Sequence, residues 1–257
     1  QSTVRPPSIP ERSARAWSKN RVVDVRSALP DRYQIMVDLG VGAGLRQGEV
    51  FGLAEDDLDE AAGVIHVRRQ VKRARSALIF ALPKGQKTRT VPVPPYLLRA
   101  LRAHLRDFPA RKVTLPWGHP GAPETEKEER ERAPRTFALV VSGLRGGALR
   151  RGTWDSRYWK PALTAAGVIG EPTTIASPVA SHRRRTVLKY PASRENGFHA
   201  LRHTFASVQL DAREPIVAVS KWLGHADPSI TLRIYAHMMP EADGRGRAAM
   251  QAWFEDH

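Results

Sequence analysis

The sequence predicts a mainly α-helical domain carrying a small antiparallel β-sheet, an α+β fold, and three observations predict it. Apolar residues recur at helical spacing along most of the chain. Strand-like runs are confined to residues 64–93. Proline and glycine punctuate the boundaries between the two kinds of segment.

Taken in order, residues 1–20 are irregular and Pro-rich (Arg5-Pro6-Pro7-Ser8-Ile9-Pro10) and read as linker, leaving 21–257 as one domain. Such a start suggests a fragment cut from a longer protein. Pro30 opens a helix with Asp31 in its first turn and Ile35, Met36 and Leu39 on one side. Gly40, Gly42 and Gly44 are expected to break it, and a short helix carrying Glu49, Val50 and Leu53 follows. Strands are expected at 64–67, 77–81 and 90–93, with a hairpin turn at Gly85-Gln86 between the last two. Pro95 starts an amphipathic helix to about Phe108, with Leu97, Leu98, Leu101 and Leu105 at helical spacing.

Residues 109–135 combine Pro, Gly and a mixed charge run, and read as a mobile surface loop. A helix over 154–166 follows. Residues 168–197 read as a long structureless stretch containing His182-Arg183-Arg184-Arg185, a segment suited either to DNA-backbone contact or to disorder. Helices are expected at 198–211, 214–223 and 228–238. A last one, 241–254, presents Ala248, Met250, Trp253 and Phe254. No internal repeat is visible.

Lysine and arginine number 41 against 26 acidic residues, a formal charge of 41 − 26 = +15, with a pI near 10.8. A balance this basic favours a polyanionic partner, because each neutralised phosphate releases counterions. With no cysteine, the chain has no disulfide, no Cys-based zinc finger and no thiol catalysis. That agrees with a reducing cytoplasm. No apolar run approaches the roughly 20 residues that span a bilayer, so no membrane partner is expected.

The chemistry lies in short motifs far apart in the chain: Gly44-Leu45-Arg46-Gln47-Gly48-Glu49, then His199-Ala200-Leu201-Arg202-His203-Thr204, then Leu223-Gly224-His225, then Tyr235. They supply arginines, histidines and a late tyrosine. A phosphodiester resists attack because its oxygens are negative and its leaving group is poor. Without a metal, cleavage needs cationic donors on the non-bridging oxygens, a nucleophile and a proton donor. Arginine's planar fork suits the first role. Tyrosine, with an ordinary pKa of about 10, is a weak nucleophile until nearby positive charge stabilises its phenolate. Arg202 follows His199 by nearly one turn, so both share a helical face.

In order and spacing these motifs resemble the tyrosine recombinases, the phage integrase family, over about residues 21–237. The resemblance implies that family's catalytic-domain fold, with Arg46 and Arg202 clamping the scissile phosphate. It places His199 and His225 as proton donors or relays, Lys84 in Pro83-Lys84-Gly85-Gln86-Lys87 as acid to the leaving 5′ oxygen, and Tyr235 as nucleophile. Lys87 and Arg89 stand near enough to Lys84 to compete for its role, and backbone binding by a hairpin lysine is the competing view. Glu49 would brace Arg46 or a histidine. His203 is read as a satisfied, partly buried core histidine. The acidic run Glu55-Asp56-Asp57-Leu58-Asp59-Glu60 is read as a solvated loop, and Trp159 and Trp222 as core.

The implied activity is site-specific cleavage and rejoining of double-stranded DNA through a 3′-phosphotyrosine, with no metal or other cofactor. The alternatives are a type IB-like topoisomerase and a DNA-binding protein without catalysis. The resemblance further implies a missing helical DNA-binding domain, a homotetramer on paired sites joined through the C-terminal helix, and an accessory DNA-bending or directionality protein.

Overall fold

The structure, a computed structural model, describes residues 16–119, 125–176, 186–191, 194–236 and 245–255. The basic cluster at 182–185 lies outside them. Part of the stretch read as linker is packed into the domain. Trp17 is buried, stacks on Trp159 at 5.9 Å, and donates its backbone N–H to Thr204 Oγ1 at 2.9 Å. Helix α1 (Lys19–Ser27) follows, capped by the Ser18 side chain accepting from Arg21 N. The domain therefore starts within the stretch read as linker.

Helix α2 (Asp31–Gly42) runs through Gly40 and Gly42 rather than breaking there. Its centre is buried on nearly every side, and it packs against α4 (Pro95–Asp107) and α8 (His199–Asp211). Gly40 makes that crossing close: a Cβ there would meet Leu201 Cδ1 at 2.8 Å. Helix α3 (Gln47–Gly52) follows after Gly44, where a φ of +61°, and the 2.6 Å that an added Cβ would leave to Phe205 Cδ1, both exclude a larger side chain.

Strands β1 (Leu58–Asp59), β2 (Val64–Val67) and β5 (Arg89–Pro92) form one antiparallel sheet, with Ile65 and Val91 facing each other in the core. Strand β4 (Ala77–Ala81) pairs instead with β3 (Gln70–Ala74), through a tight turn with Arg75 at φ +53°. Thus β4 and β5 belong to different sheets. The expected hairpin between them is a connecting loop, although the turn at 83–86 is present, closed by Gln86 N donating to Pro83 O at 3.0 Å.

The segment 109–135 is not a simple loop either. Strands β6 (Arg111–Leu115) and β7 (Arg135–Leu139) pair along their whole length, with helix α5 (Glu126–Arg132) between them. Within 168–197, β8 (Thr173–Ala176) pairs with β9 (Thr186–Lys189). The acidic run forms a 3-10 turn in which Asp57 is buried, accepting from Arg68 Nε at 2.7 Å, Arg69 Nη1 at 2.5 Å and Ala54 N at 2.9 Å. That residue braces the β2–β3 connection; the rest of the run is open to solvent or only partly covered.

Helix α6 (Arg151–Trp154) continues through a π-turn at Asp155–Trp159 into α7 (Lys160–Ala165). The bulge lets Trp154 and Trp159 stack at 5.5 Å. Both rings contact Phe198, at 5.9 and 5.6 Å, which is the residue just before α8. An aromatic stack thus fixes where α8, and with it His199, begins. Helices α9 (Ile216–Leu223) and α10 (Pro228–Tyr235) pack on each other and on α8, and α11 (Arg245–Glu255) closes the described chain.

Candidate active site

Five elements converge on one cluster. Arg46 caps α3 and is partly buried. Its Nη1 donates to Glu49 Oε1 at 2.9 Å, and its backbone N–H donates to Glu49 Oε2 at 2.9 Å. The i,i+3 ion pair that spacing alone allows is therefore real, and it aims Arg46. Glu49 is buried and also accepts a two-pronged bond from Arg89 of β5, at 2.9 and 2.6 Å. Burial pushes the Glu49 carboxyl up. The Arg89 hydrogen bonds, with Arg89, Arg46 and Arg202 charges, outweigh it and hold the pKa at about 2.

Arg89 also donates from Nε to Trp222 O at 2.6 Å, so it ties β5 to the end of α9. It is engaged on Glu49 and Trp222, which removes it from competition with Lys84. Gly224 ends α9 at φ +63°, and a Cβ there would sit 3.0 Å from Arg89 Cδ. The left-handed cap turns the chain so that His225 follows directly. Nδ1 of His225 is 2.7 Å from Thr231 Oγ1. Thr231 and Tyr235 are one helical turn apart on the buried face of α10, whereas Leu232 points to solvent.

Arg202 is wholly buried. Nη1 donates to Gly44 O at 2.7 Å, Nη2 donates to Leu223 O, and Nε has no acceptor among the described residues. Its guanidinium therefore holds together the loops that present Arg46 and His225. Burial, and then the charge of Arg46, lowers its pKa to about 9.

Tyr235 is buried, and its Oη lies 2.7 Å from Nδ1 of His203. His203 meets His199 edge to face, with ring centroids 4.7 Å apart. His203 is partly buried and satisfied as its sequence position suggests, but its partner is the candidate nucleophile. Burial raises the Tyr235 phenol to about 12, although Arg202 and Arg46 pull it down. The surrounding cations therefore do not make a phenolate in the DNA-free site. Burial wins.

Burial and the neighbouring arginines disfavour the charged forms of His199, His203 and His225. Burial, then Arg202, lowers His203 to about 4. Burial, then Arg202, Arg46, Arg89 and His203, does the same for His225. His199 keeps an exposed edge, yet the covered part of its ring and the neighbouring His203, Arg202 and Arg46 hold it below the usual histidine value.

These shifts set an acid limit on stability. Between about 4 and 6.5 the unfolded chain binds protons on His203 and His225 that the folded chain refuses. Their contribution is complete above 6.5 and is lost as pH falls towards 4. Glu49 acts likewise, from its ordinary 4.5 down to about 2. The urea midpoint should therefore fall steadily below about pH 6.5. A midpoint unchanged from pH 7 to 4 would contradict this assignment.

Lys84 stands exposed at the 83–86 turn, where Gly85 takes φ +90°. Among the described residues, no hydrogen bond, ion pair or ring contact joins Lys84 to the cluster, and His199 is joined to it by its ring contact with His203. A cleft of about 550 Å³ opens beside Arg46 and His199, and Lys72, Arg73, Arg150 and Arg151 line its far side. Among the described residues, no group of three or more His, Cys, Asp or Glu could hold a metal ion. No described helix is long and apolar enough to cross a membrane.

Two arginines, three histidines and a buried tyrosine therefore lie together on a helical domain with small sheets, as the motifs' resemblance to the tyrosine recombinases implies. A family model described as the phage integrase family matches residues 175–241. A tyrosine recombinase XerC-like protein of Caldanaerobacter subterraneus is 27% identical over 242 residues, 90% of this chain and 52% of that protein. Tyrosine recombinase XerA of Thermococcus kodakarensis is 34% identical over 242 residues, 93% of this chain and 63% of that protein. Among solved structures, the Tn1549 transposon integrase in complex with circular intermediate DNA matches with a TM-score of 0.62 at 16% identity, covering 95% of this chain and 68% of that one. A XerA recombinase structure matches with a TM-score of 0.54 at 19% identity, covering 96% and 66%. At those identities the likeness shows the fold. Residues 175–241 thus carry the phage integrase family's pattern, and over nine tenths of its length the chain is similar to curated tyrosine recombinases. It spans between about half and two thirds of the length of these curated relatives.

Proposed function

We propose that this chain is the catalytic domain of a site-specific DNA recombinase. Tyr235 attacks a DNA phosphate held by Arg46 and Arg202, a 3′-phosphotyrosine forms, and a 5′ hydroxyl leaves. A second strand's hydroxyl then reverses the step, so bond energy is conserved. The observation that carries the reading is the convergence of Arg46, Arg202, His199, His225 and Tyr235 from four separated stretches of sequence onto one cluster, with Arg202 and Tyr235 buried at its centre. The unpartnered Nε of Arg202 supports it, since a buried donor without an acceptor costs about 1–3 kcal/mol that a phosphate oxygen could recover.

Double-stranded DNA is the substrate, favoured by the +15 charge and the basic cleft walls. The full-length protein would act in the cytoplasm as a homotetramer on paired sites, with an accessory DNA-bending or directionality protein at some sites. The test is covalent trapping. A nicked suicide duplex carrying the recombination site should yield a denaturation-resistant adduct, and should do so in excess EDTA. Loss of the adduct on chelation, with recovery on adding magnesium, would overturn the metal-free mechanism.

Lys84 is the proposed acid to the leaving oxygen. Lys84→Ala should slow cleavage of ordinary DNA by about 10²-fold or more. A substrate with sulfur in place of the leaving 5′ oxygen needs no proton and should restore the rate. Failure of sulfur to rescue would move the role to Lys87.

A further inference from the structure

We infer that His203 is the base that takes the phenolic proton of Tyr235 as its oxygen attacks the phosphate. The inference rests on the reading of Tyr235 as nucleophile. Nδ1 of His203 lies 2.7 Å from Tyr235 Oη, with ring centroids 5.7 Å apart. The other close groups are unsuited or engaged. Arginine has no lone pair to offer. Arg202 spends its terminal nitrogens on Gly44 O and Leu223 O, and Nδ1 of His225 is engaged with Thr231. For Nδ1 to accept, the ring must be neutral with its proton on Nε2.

The surroundings of His203 favour that form. His199 and Arg202 face it from α8, Tyr235 from α10, and His225 from the turn between α9 and α10. Burial and Arg202 keep its charged form disfavoured in the free protein. A phosphate seated on Arg46 and Arg202 compensates their charge and so relieves the repulsion on the ring. Substrate binding thereby raises the basicity of His203 when the proton must move.

The step balances as follows. The Oη–H bond breaks towards Nδ1 as Oη–P forms and P–O5′ breaks, and the departing oxygen takes a proton from a separate ammonium, with Lys84 the candidate. His203 ends as imidazolium and returns its proton when the phosphotyrosine is resolved.

Single-turnover adduct formation on the suicide duplex, by the full chain, tests this with wild type, His203→Gln and His203→Ala. Glutamine can keep a hydrogen bond to Oη but cannot take a proton. Its rate should fall by about 10²-fold or more while DNA affinity stays within about twofold. The rate of the variants should climb about tenfold per pH unit, because hydroxide replaces the base, whereas wild type levels off. Added imidazole should partly restore His203→Ala, in proportion to its concentration. Wild-type rate and pH profile in His203→Gln, or no response of His203→Ala to imidazole, would overturn the assignment. Absence of an adduct from wild type is a separate result, and it would remove the nucleophile reading itself.

Discussion

Tyr235→Phe should bind DNA as wild type does and form no covalent adduct on a suicide substrate. The change deletes one oxygen from a side chain that is 1% exposed, leaving the ring to fill the same space against α8. What the fold loses is a single hydrogen bond to His203, worth about 0.5–1.5 kcal/mol. The cations that would meet DNA, among them Arg46, Lys72, Arg73, Arg150 and Arg151, are untouched. Binding measured by gel shift should therefore stay within about twofold. The adduct should be absent rather than slowed, because no other described tyrosine is hydrogen-bonded within the cluster. A denaturation-resistant adduct from the variant would place the nucleophile elsewhere.

The burial of Tyr235 gives this experiment a further meaning. A phenol at about 12 is almost wholly protonated at neutral pH. Motif spacing brings cations near the tyrosine, and from that alone an activated phenolate is expected. Burial reverses the sign of the shift, and burial is a property of packing that spacing does not carry. On the proposed reading, activation comes with DNA, through the proton acceptor beside Tyr235.

Other differences between sequence and structure have the same origin. The long helices were legible because their apolar residues repeat against a core, as in α2, α4 and α8. Strands β8 and β9 are exposed at every position, so no alternation of apolar and polar residues marks them. Of β6, only Val113 is buried, and a charged helix separates that strand from its partner. Helix α1 buries Val25 alone and has no apolar stripe to recognise. His203 was visible as a neighbour of His199 on one face, but its partner lies 32 residues away on α10. Asp57 looked like its acidic neighbours, and only the return of Arg68 and Arg69 from the β2–β3 connection distinguishes it.

Arg202→Lys should cost cleavage at least about 10²-fold while leaving DNA affinity within a few-fold. Lysine keeps the charge in the cluster, so the long-range attraction for DNA persists. It cannot keep the geometry. The guanidinium of Arg202 reaches Gly44 O and Leu223 O at once from one plane, with Nε left over as a third donor. A single ammonium can donate in several directions but cannot span two carbonyls on opposite loops and still face a phosphate. One of those buried carbonyls then loses its partner, at about 1–3 kcal/mol. The midpoint of urea unfolding should fall accordingly, and the comparison of rates must be made where both proteins are folded. The loss in rate should exceed anything the stability change explains, because Arg46 is aimed by the loop that Gly44 O anchors, and His225 by the loop after Leu223. Displacing both loops disturbs the proposed clamp on the phosphate as well as removing the Nε donor. Losses of equal size in binding and in cleavage would instead assign Arg202 to ordinary backbone contact.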